Sequence, residues 1–412
     1  MSNGTYGLSK TLRLPIVFIL ITVILDAMGI GLIVPVMPDL ILELQGGTLA
    51  NAALWGGVLS TSFAVMQFLF GPMLGALSDR FGRKPVLIVS LLVMSLDYLV
   101  MAVATSIWLL LLMRIVGGVT AASAATANAY IADISKPEDR AANFGLIGAG
   151  FGIGFVLGPL LGGLLGEYGT RAPFLAAAAL SAINALFGFL VLKETVRGRL
   201  IRQFSWGRAN PFGSLRHLVR LPGIGWLLAV FFIYSVAFFV YPAVWAYFTQ
   251  ERFGWTPKTI GLSLALFGIT MAAVQGGLIR LILRWTSERM TVIYGHVFDI
   301  VAFLLIAIVT NSTFAILLTP FAALGAVITP ALQGIMSKAV DDDSQGELQG
   351  VLISLYALAT IAAPLVMTWV FATFSDPDAS VYLPGAPFLL SLVLMALSLI
   401  IFVRWRDDAK EH

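Results

Sequence analysis

Long apolar runs dominate this chain and leave it few folds to adopt. An α-helix needs about 20 mostly apolar residues to cross a bilayer. Runs of that kind recur at 14–36, 53–77, 86–104, 107–130, 143–166, 172–193, 224–249, 259–283, 290–310, 313–337, 347–374 and 384–405. Charged residues make up 11% of the chain, where a soluble protein carries about 25%. So few charges cannot cover a wet surface. The chain therefore reads as an all-α integral membrane protein of twelve transmembrane helices. The first run is too long for a signal-peptide core and no Ala-x-Ala site follows it, so it counts as a span.

Several classes of function drop out. The net charge is only +3 and no basic block is present, so nucleic acid is not an expected partner. The absence of cysteine excludes disulfides, thiolate nucleophiles and Cys-ligated zinc. His217, His296 and His412 are too dispersed for a metal cluster. Asn3 and Asn311 match a glycosylation pattern that is common by chance. No Ser-His-Asp, metal-ligand or phosphate-cradling set stands out, so neither an enzyme nor a cofactor is expected.

The longest break, 194–223, carries Arg197, Arg199, Arg202, Arg208, Arg216 and Arg220. It divides the spans six and six: an N-terminal half at 1–193, a linker at 194–223 and a C-terminal half at 224–412. Of 25 Lys and Arg residues, Arg171, Arg252 and Lys258 fall in loops on one side and Arg114 falls inside a span; the others lie on the linker's side. The positive-inside rule then puts both termini and the linker in the cytoplasm, as in a multi-pass protein of a bacterial inner membrane.

The halves also repeat. ANAYIADISKPEDRAANFG (127–145) leads into a span with Pro159, and LQGIMSKAVDDDSQGELQG (332–350) into one with Pro364. Aligning the prolines superposes Ile131-Ala132 on Met336-Ser337. Two six-helix halves in parallel repeat resemble the major-facilitator fold.

Three motifs sharpen that resemblance. GALSDRFGRKP (75–85), between the second and third spans, resembles the major-facilitator loop G-x-L-x-D-R-x-G-R-K. A merely charged inside loop accounts for Arg80, Arg83 and Lys84, but not for Gly75, Asp79 and Gly82 at these spacings. The resemblance implies a gate. Asp79 would meet the start of the eleventh span, where Ser344-Gln-Gly-Glu347 reads as a capping box, and Arg83 would join Asp133 and Glu138 in a charge cluster. Gly150, Gly154, Gly158, Gly162 and Gly166 fall on one face of the fifth span, a pattern that lets helices approach closely in lipid. Within it, Gly154-x-x-x-Gly158-Pro159-x-x-Gly162-Gly163 resembles the antiporter motif of the superfamily. Ionisable residues within spans are costly and usually functional. Asp26, Asp97, Arg114 and Asp299 are such residues. A carboxyl held out of water can carry a proton in one conformation and release it in another. His296 shares a helix face with Asp299, either as a hydrogen-bonded interior residue or as one end of a His–Asp proton relay.

LDAMGIGLIVPVMPDL, SLDYLVMAVA, MRIVGGVTAA, YIADI and PALQGIMSKAVDDDSQGELQG, with the motifs above, resemble the tetracycline/H⁺ antiporters over most of the chain. The resemblance implies proton-coupled export of an amphipathic drug, tetracycline-like or multidrug, by a monomer. Mg²⁺ would enter only as part of a substrate chelate. Asp26, Asp97, Asp299 and Arg114, with His296, would serve proton coupling. Gly75, Ser78, Asp79, Arg80, Gly82, Arg83, Asp133 and Glu138 would serve the gate. Gln67 would contact substrate. Met271 stands where closely similar members carry a histidine, so coupling would rest on carboxylates or on His296. FFIYSVAFFVYPAVWAYF (231–248) offers Tyr234, Phe238 and Trp245 for stacking on a planar or cationic ligand, although aromatic-rich spans more often pack against neighbours. A proton-coupled metabolite carrier and a non-transporting membrane sensor are the alternatives.

Overall fold

The computed structural model describes residues 10–121, 123–136, 139–196, 210, 212–213 and 223–405. Among them there are no strands, and twelve helical segments are long and apolar enough to cross a membrane. The N-terminal half comprises α1 (Lys10–Ile33), a short α2 (Met37–Gln45), α3 (Leu49–Phe81), α4 (Arg83–Val103), α5 (Ile107–Thr120) continued by α6 (Ser123–Ile134), α7 (Arg140–Gly166) and α8 (Ala172–Val191). The C-terminal half comprises α9 (Gly225–Phe238) with α10 (Val240–Phe253), α11 (Pro257–Ala273) with α12 (Ile279–Trp285), α13 (Glu288–Ile308), α14 (Ser312–Ala322) with α15 (Ile328–Lys338), α16 (Gln345–Ser375) and α17 (Ala386–Arg404).

Local chemistry sets the ends. Thr48, Ser106, Ser287 and Asn311 each accept a backbone N–H at a helix start, satisfying one of the otherwise orphaned donors. The first span ends earlier than expected. It stops at Ile33, and Val36, with Pro38 next to the start of the following helix, turns the chain into α2. At 33 residues, α3 runs about 50 Å against a hydrocarbon core of about 30 Å. It is therefore longer than a hydrocarbon core is thick.

Four spans depart from regular helix. The fourth does so at Ala121, which stands at φ −73°, ψ 46° after the end of α5. The seventh breaks at Phe239, three residues before Pro242. The eighth carries a π segment at Val274–Leu278, and the tenth a 3-10 segment at Ala323–Val327 soon after Pro320. The Ser344 half of the expected capping box is not formed. Ser344 sits in a 3-10 turn at φ −94°, ψ −2° and makes no side-chain cap. Gln345 instead ties the two spans together, donating to the Ser337 carbonyl at 2.7 Å and accepting from the Ser337 hydroxyl at 2.9 Å.

The glycine ladder does two jobs. Gly154, Gly158 and Gly162 lie against the α1 backbone, and a Cβ on Gly158 would sit 2.5 Å from the Met28 carbonyl oxygen. Gly163 and Pro159 face α11 across the boundary between halves. The halves meet at the end of the bundle away from the linker. Gly57 packs on Pro364 and Thr368, and Gly163 on Pro257 and Gly261. Thr61 donates to the Ile361 carbonyl at 3.0 Å, Gln250 to Asp39 at 2.6 Å, and Lys258 pairs with Glu167 at 3.4 Å. Towards the linker end, a Cβ on Gly71, Gly75, Gly145, Gly148 or Gly152 would meet nothing within 4 Å. Among the described residues, the halves thus close at the far end and part at the linker end.

Candidate functional site

In the N-terminal half, α1, α4 and α5 bring a charged group into the interior. Asp97 on α4 is 2% exposed and Arg114 on α5 is 8% exposed. Arg114 Nη2 lies 3.2 Å from Asp97 Oδ2. Gly117, one turn beyond Arg114, makes room for the carboxyl: a Cβ there would lie 3.0 Å from Oδ2. The guanidinium also sits 5.1 Å from the Phe63 ring centroid. Tyr98 points its hydroxyl at Gly29 of α1 and lies within electrostatic reach of Arg114, Asp97 and Asp26. Gln67 donates to the Ala121 carbonyl at 3.3 Å, on the same α3–α5 contact. Asp97 Oδ1 and Arg114 Nε have no hydrogen-bond partner among the described residues. The pair is half-satisfied, with one acceptor and one donor left over.

The C-terminal half holds the counterpart. Asp299 on α13, the ninth span, is fully buried, and neither carboxyl oxygen has a hydrogen-bond partner among the described residues. It presses against Gly325 in the 3-10 segment of the following span. Third and ninth spans are equivalent in the repeat. Each carries a buried aspartate set against a glycine of the next span, and among the described residues only the N-terminal one has an arginine beside it. Tyr234 and Tyr241 are within electrostatic reach of Asp299.

His296 is not joined to Asp299 by a hydrogen bond. Its Nδ1–H meets the Val292 carbonyl at 2.8 Å, and its Nε2 shares a 3.0 Å hydrogen bond with the Ser398 hydroxyl. Both ring nitrogens are thereby engaged in hydrogen bonds within the C-terminal half.

The aromatics of the seventh span also pack inward. Tyr234 and Trp245 are 4% and 2% exposed. Tyr234 stacks on Phe238, which is half-buried, at 5.6 Å. Trp245 Nε1 donates to Ser263 Oγ at 2.9 Å. Tyr241, Trp245, Leu264, Phe267 and Thr319 close on one another without room for a water molecule. Trp245 therefore belongs to the core of its half rather than to the wall of an open cavity. Met271 is half-buried just before the π segment.

The gate motif assembles within the N-terminal half. Arg83 Nη1 lies 2.6 Å from Asp79 Oδ1 and donates to Ser78 Oγ at 2.6 Å, while its Nε reaches Asp133 Oδ2 at 3.3 Å. Arg80 turns aside onto the Phe81 ring. The cluster of Arg83 with Asp79 and Asp133 is as expected; Glu138 lies outside the described residues. Sequence reasoning missed Glu194, whose carboxylate accepts from the backbone N–H groups of Arg83 and Lys84. It also missed the Asp39–Gln250 bond across the far end. Only proximity in the fold connects these residues.

Comparison with known proteins settles the family. A model of the Major Facilitator Superfamily matches residues 19–318 and 242–412. The chain belongs to the major facilitator superfamily. It is a secondary transporter rather than an enzyme, and a multi-pass membrane protein. It is 43% identical to the tetracycline resistance protein, class C, of Escherichia coli, over 87% of this chain and 89% of that one. It is 28% identical to multidrug resistance protein 2 of Bacillus subtilis, over 96% of each. Among solved structures it resembles the human organic anion transporter MFSD10, with a TM-score of 0.68 and 26% identity over 95% of this chain and 99% of that one. A bacterial homologue of the lysosomal transporter Spinster, inward-facing and unoccupied, shares the fold at a TM-score of 0.79 and 17% identity, over 98% and 99% of the two chains.

Proposed function

We propose that this chain exports an amphipathic drug of the tetracycline kind from the cytoplasm in exchange for protons, by alternating access, as a monomer in a bacterial inner membrane. The similarity to tetracycline and multidrug resistance proteins supports drug export. The observation that carries proton coupling is Asp299, a fully buried carboxyl with no partner on either oxygen among the described residues. An unpaired buried charge costs several kcal/mol, so this site accommodates the neutral, protonated form. Ionisation requires a conformation that brings water or a cation to it. Asp97 differs in having Arg114 beside it, 3.2 Å from its Oδ2.

With the positive-inside orientation, the parted linker end faces the cytoplasm. Drug would enter there, between the halves, and reach Gln67, which is exposed. Mg²⁺ would arrive only as part of a drug chelate. Closure at the linker end, with Asp79 against the start of α16, and opening at the far end would release drug outward and admit protons. Each elementary charge moved through 100 mV is worth about 2.3 kcal/mol, and no nucleotide-binding motif offers another source of energy.

The test uses energised everted vesicles. Adding tetracycline with Mg²⁺, then a panel of cationic drugs, is expected to dissipate the internal pH gradient with wild type and not with Asp97→Asn at matched expression. If no compound does so, drug:proton exchange is wrong and metabolite transport takes its place.

A further inference from the structure

Glu194 is the first residue of the linker segment, immediately beyond the sixth span. Its side chain folds back onto the gate loop. Oε1 accepts from Arg83 N at 2.9 Å and Oε2 from Lys84 N at 3.1 Å. These are two of the backbone donors that a helix start leaves orphaned. Residue 82, the N-cap of α4, is a glycine and supplies no capping group. A carboxylate placed there also meets the positive end of the helix dipole. Oε1 further accepts from the N–H groups of Thr195 and Val196, both at 2.9 Å, so the same carboxylate fixes the first turn of the linker.

The surroundings fit around this contact. Gly82 has φ +107°, a conformation that L side chains rarely adopt, and a Cβ on it would collide with the Glu194 carboxyl. Thr195 Oγ1 donates to Asp133 Oδ2 at 3.0 Å, the oxygen that also takes Arg83 Nε. Tyr130 donates to the Lys193 carbonyl at 3.0 Å, and Lys84 Nζ to the Phe189 carbonyl at 2.8 Å. The start of the linker and the gate loop are therefore one hydrogen-bonded unit, with Glu194 at its centre.

We infer that Glu194 is a positioning residue for the cytoplasmic gate: it caps α4, fixes the Arg83 backbone, and so sets where Arg83 holds Asp79 and Asp133 when the halves close at the linker end. It also ties the segment joining the halves to the loop that locks them. Gly82 is needed because Glu194 occupies the space a side chain would take. This rests on the gate reading of Asp79, and its test separates the two.

The chain has no cysteine, so a pair introduced at Ala142 and Gln349, exposed residues of opposite halves near the linker end, can carry two spin labels and no others. Distances would be measured in lipid for wild type, Glu194→Ala and Glu194→Gln, alongside turnover and KM for tetracycline in proteoliposomes. Glu194→Ala is expected to deplete the short, closed distances and to lower kcat ~10-fold with KM changed less than ~2-fold. Glu194→Gln keeps one acceptor oxygen and should fall between, with the melting temperature of wild type. If Glu194→Ala does not fold, Glu194→Gln decides. Wild-type distances and turnover in Glu194→Gln, or losses that track only the folded fraction, would overturn the inference. If wild type itself moves no tetracycline, drug export fails while the distances still judge Glu194.

Discussion

Gly163→Ala should tip the balance between the two ends of the transporter. Gly163 faces α11 across the boundary between halves, where its missing Cβ would lie 2.5 Å from the Pro257 carbonyl oxygen and 3.0 Å from the Gly261 Cα. Carbon–oxygen contacts of this kind settle at about 3.3–3.6 Å. The new methyl must push the backbones apart by ~0.8–1 Å, and no flexible side chain can absorb the move. Overpacking of this sort costs about 1–3 kcal/mol. The cost falls only on the state in which the halves touch at the far end. The equilibrium should therefore shift about 5–150-fold towards the state open at that end. Labels at Tyr168 and Asp378, exposed residues of opposite halves at the far end, read the shift as a new population of longer distances. Gly158→Ala is the control: it crowds Met28 within the N-terminal half and should lower stability without moving those distances. An unchanged distribution in Gly163→Ala, with the protein folded, would refute the claim that this contact holds the far end shut.

Four further outcomes follow from the same geometry. Asp299→Asn keeps the size of the side chain but cannot release a proton, so pH-driven drug accumulation should fall ~100-fold or more while drug binding persists; accumulation at the wild-type level would remove Asp299 from the coupling path. Asp39, outside the spans, is raised above its ordinary value by burial, and the Gln250 hydrogen bond only partly offsets this. A carboxyl with a higher pKa when the far end is closed favours that closed state as pH falls towards its ordinary value near 3.8 and disfavours it above. In Asp39→Asn the far-end distances should lose this pH dependence. Asp79→Asn should slow transport and deplete the linker-end-closed state with no loss of folded protein; equal activity in reconstituted mutant and wild type would rule out the latch. Trp245→Ala should cost ~3–5 kcal/mol of stability, read as a lowered melting temperature, as for a large buried aromatic; a change in drug selectivity at wild-type stability would return Trp245 to the binding site.

The spans, their number and their repeat were legible because hydrocarbon imposes a length and a composition that no soluble fold shares. The Asp97–Arg114 pair was legible as two costly residues on neighbouring spans. Its geometry depends on Gly117 and Tyr98, which look like ordinary span residues until α4 and α5 are brought together. Asp299 was found by its charge, but not the absence of a hydrogen-bond partner among the described residues, which depends on how the 3-10 segment around Gly325 lies. Whether Trp245 and Tyr234 line a cavity or pack within their half was not legible, because aromatic spacing on a helix does not distinguish a cavity wall from a packed interior. Ser344-Gln-Gly-Glu347 had the letters of a capping box, yet Gln345 found the end of α15 first. Glu194 was invisible because the residues it caps lie 110 and 111 positions away.

The coupling itself is tested most directly without an imposed proton gradient. Purified protein would be placed in liposomes that hold tetracycline and a pH-sensitive dye, and then diluted into drug-free buffer of the same pH. Drug leaving down its gradient should draw protons inward, and the lumen should acidify with wild type but not with Asp299→Asn. Drug efflux with no change in luminal pH, or with alkalinisation, would contradict the exchange of drug for protons.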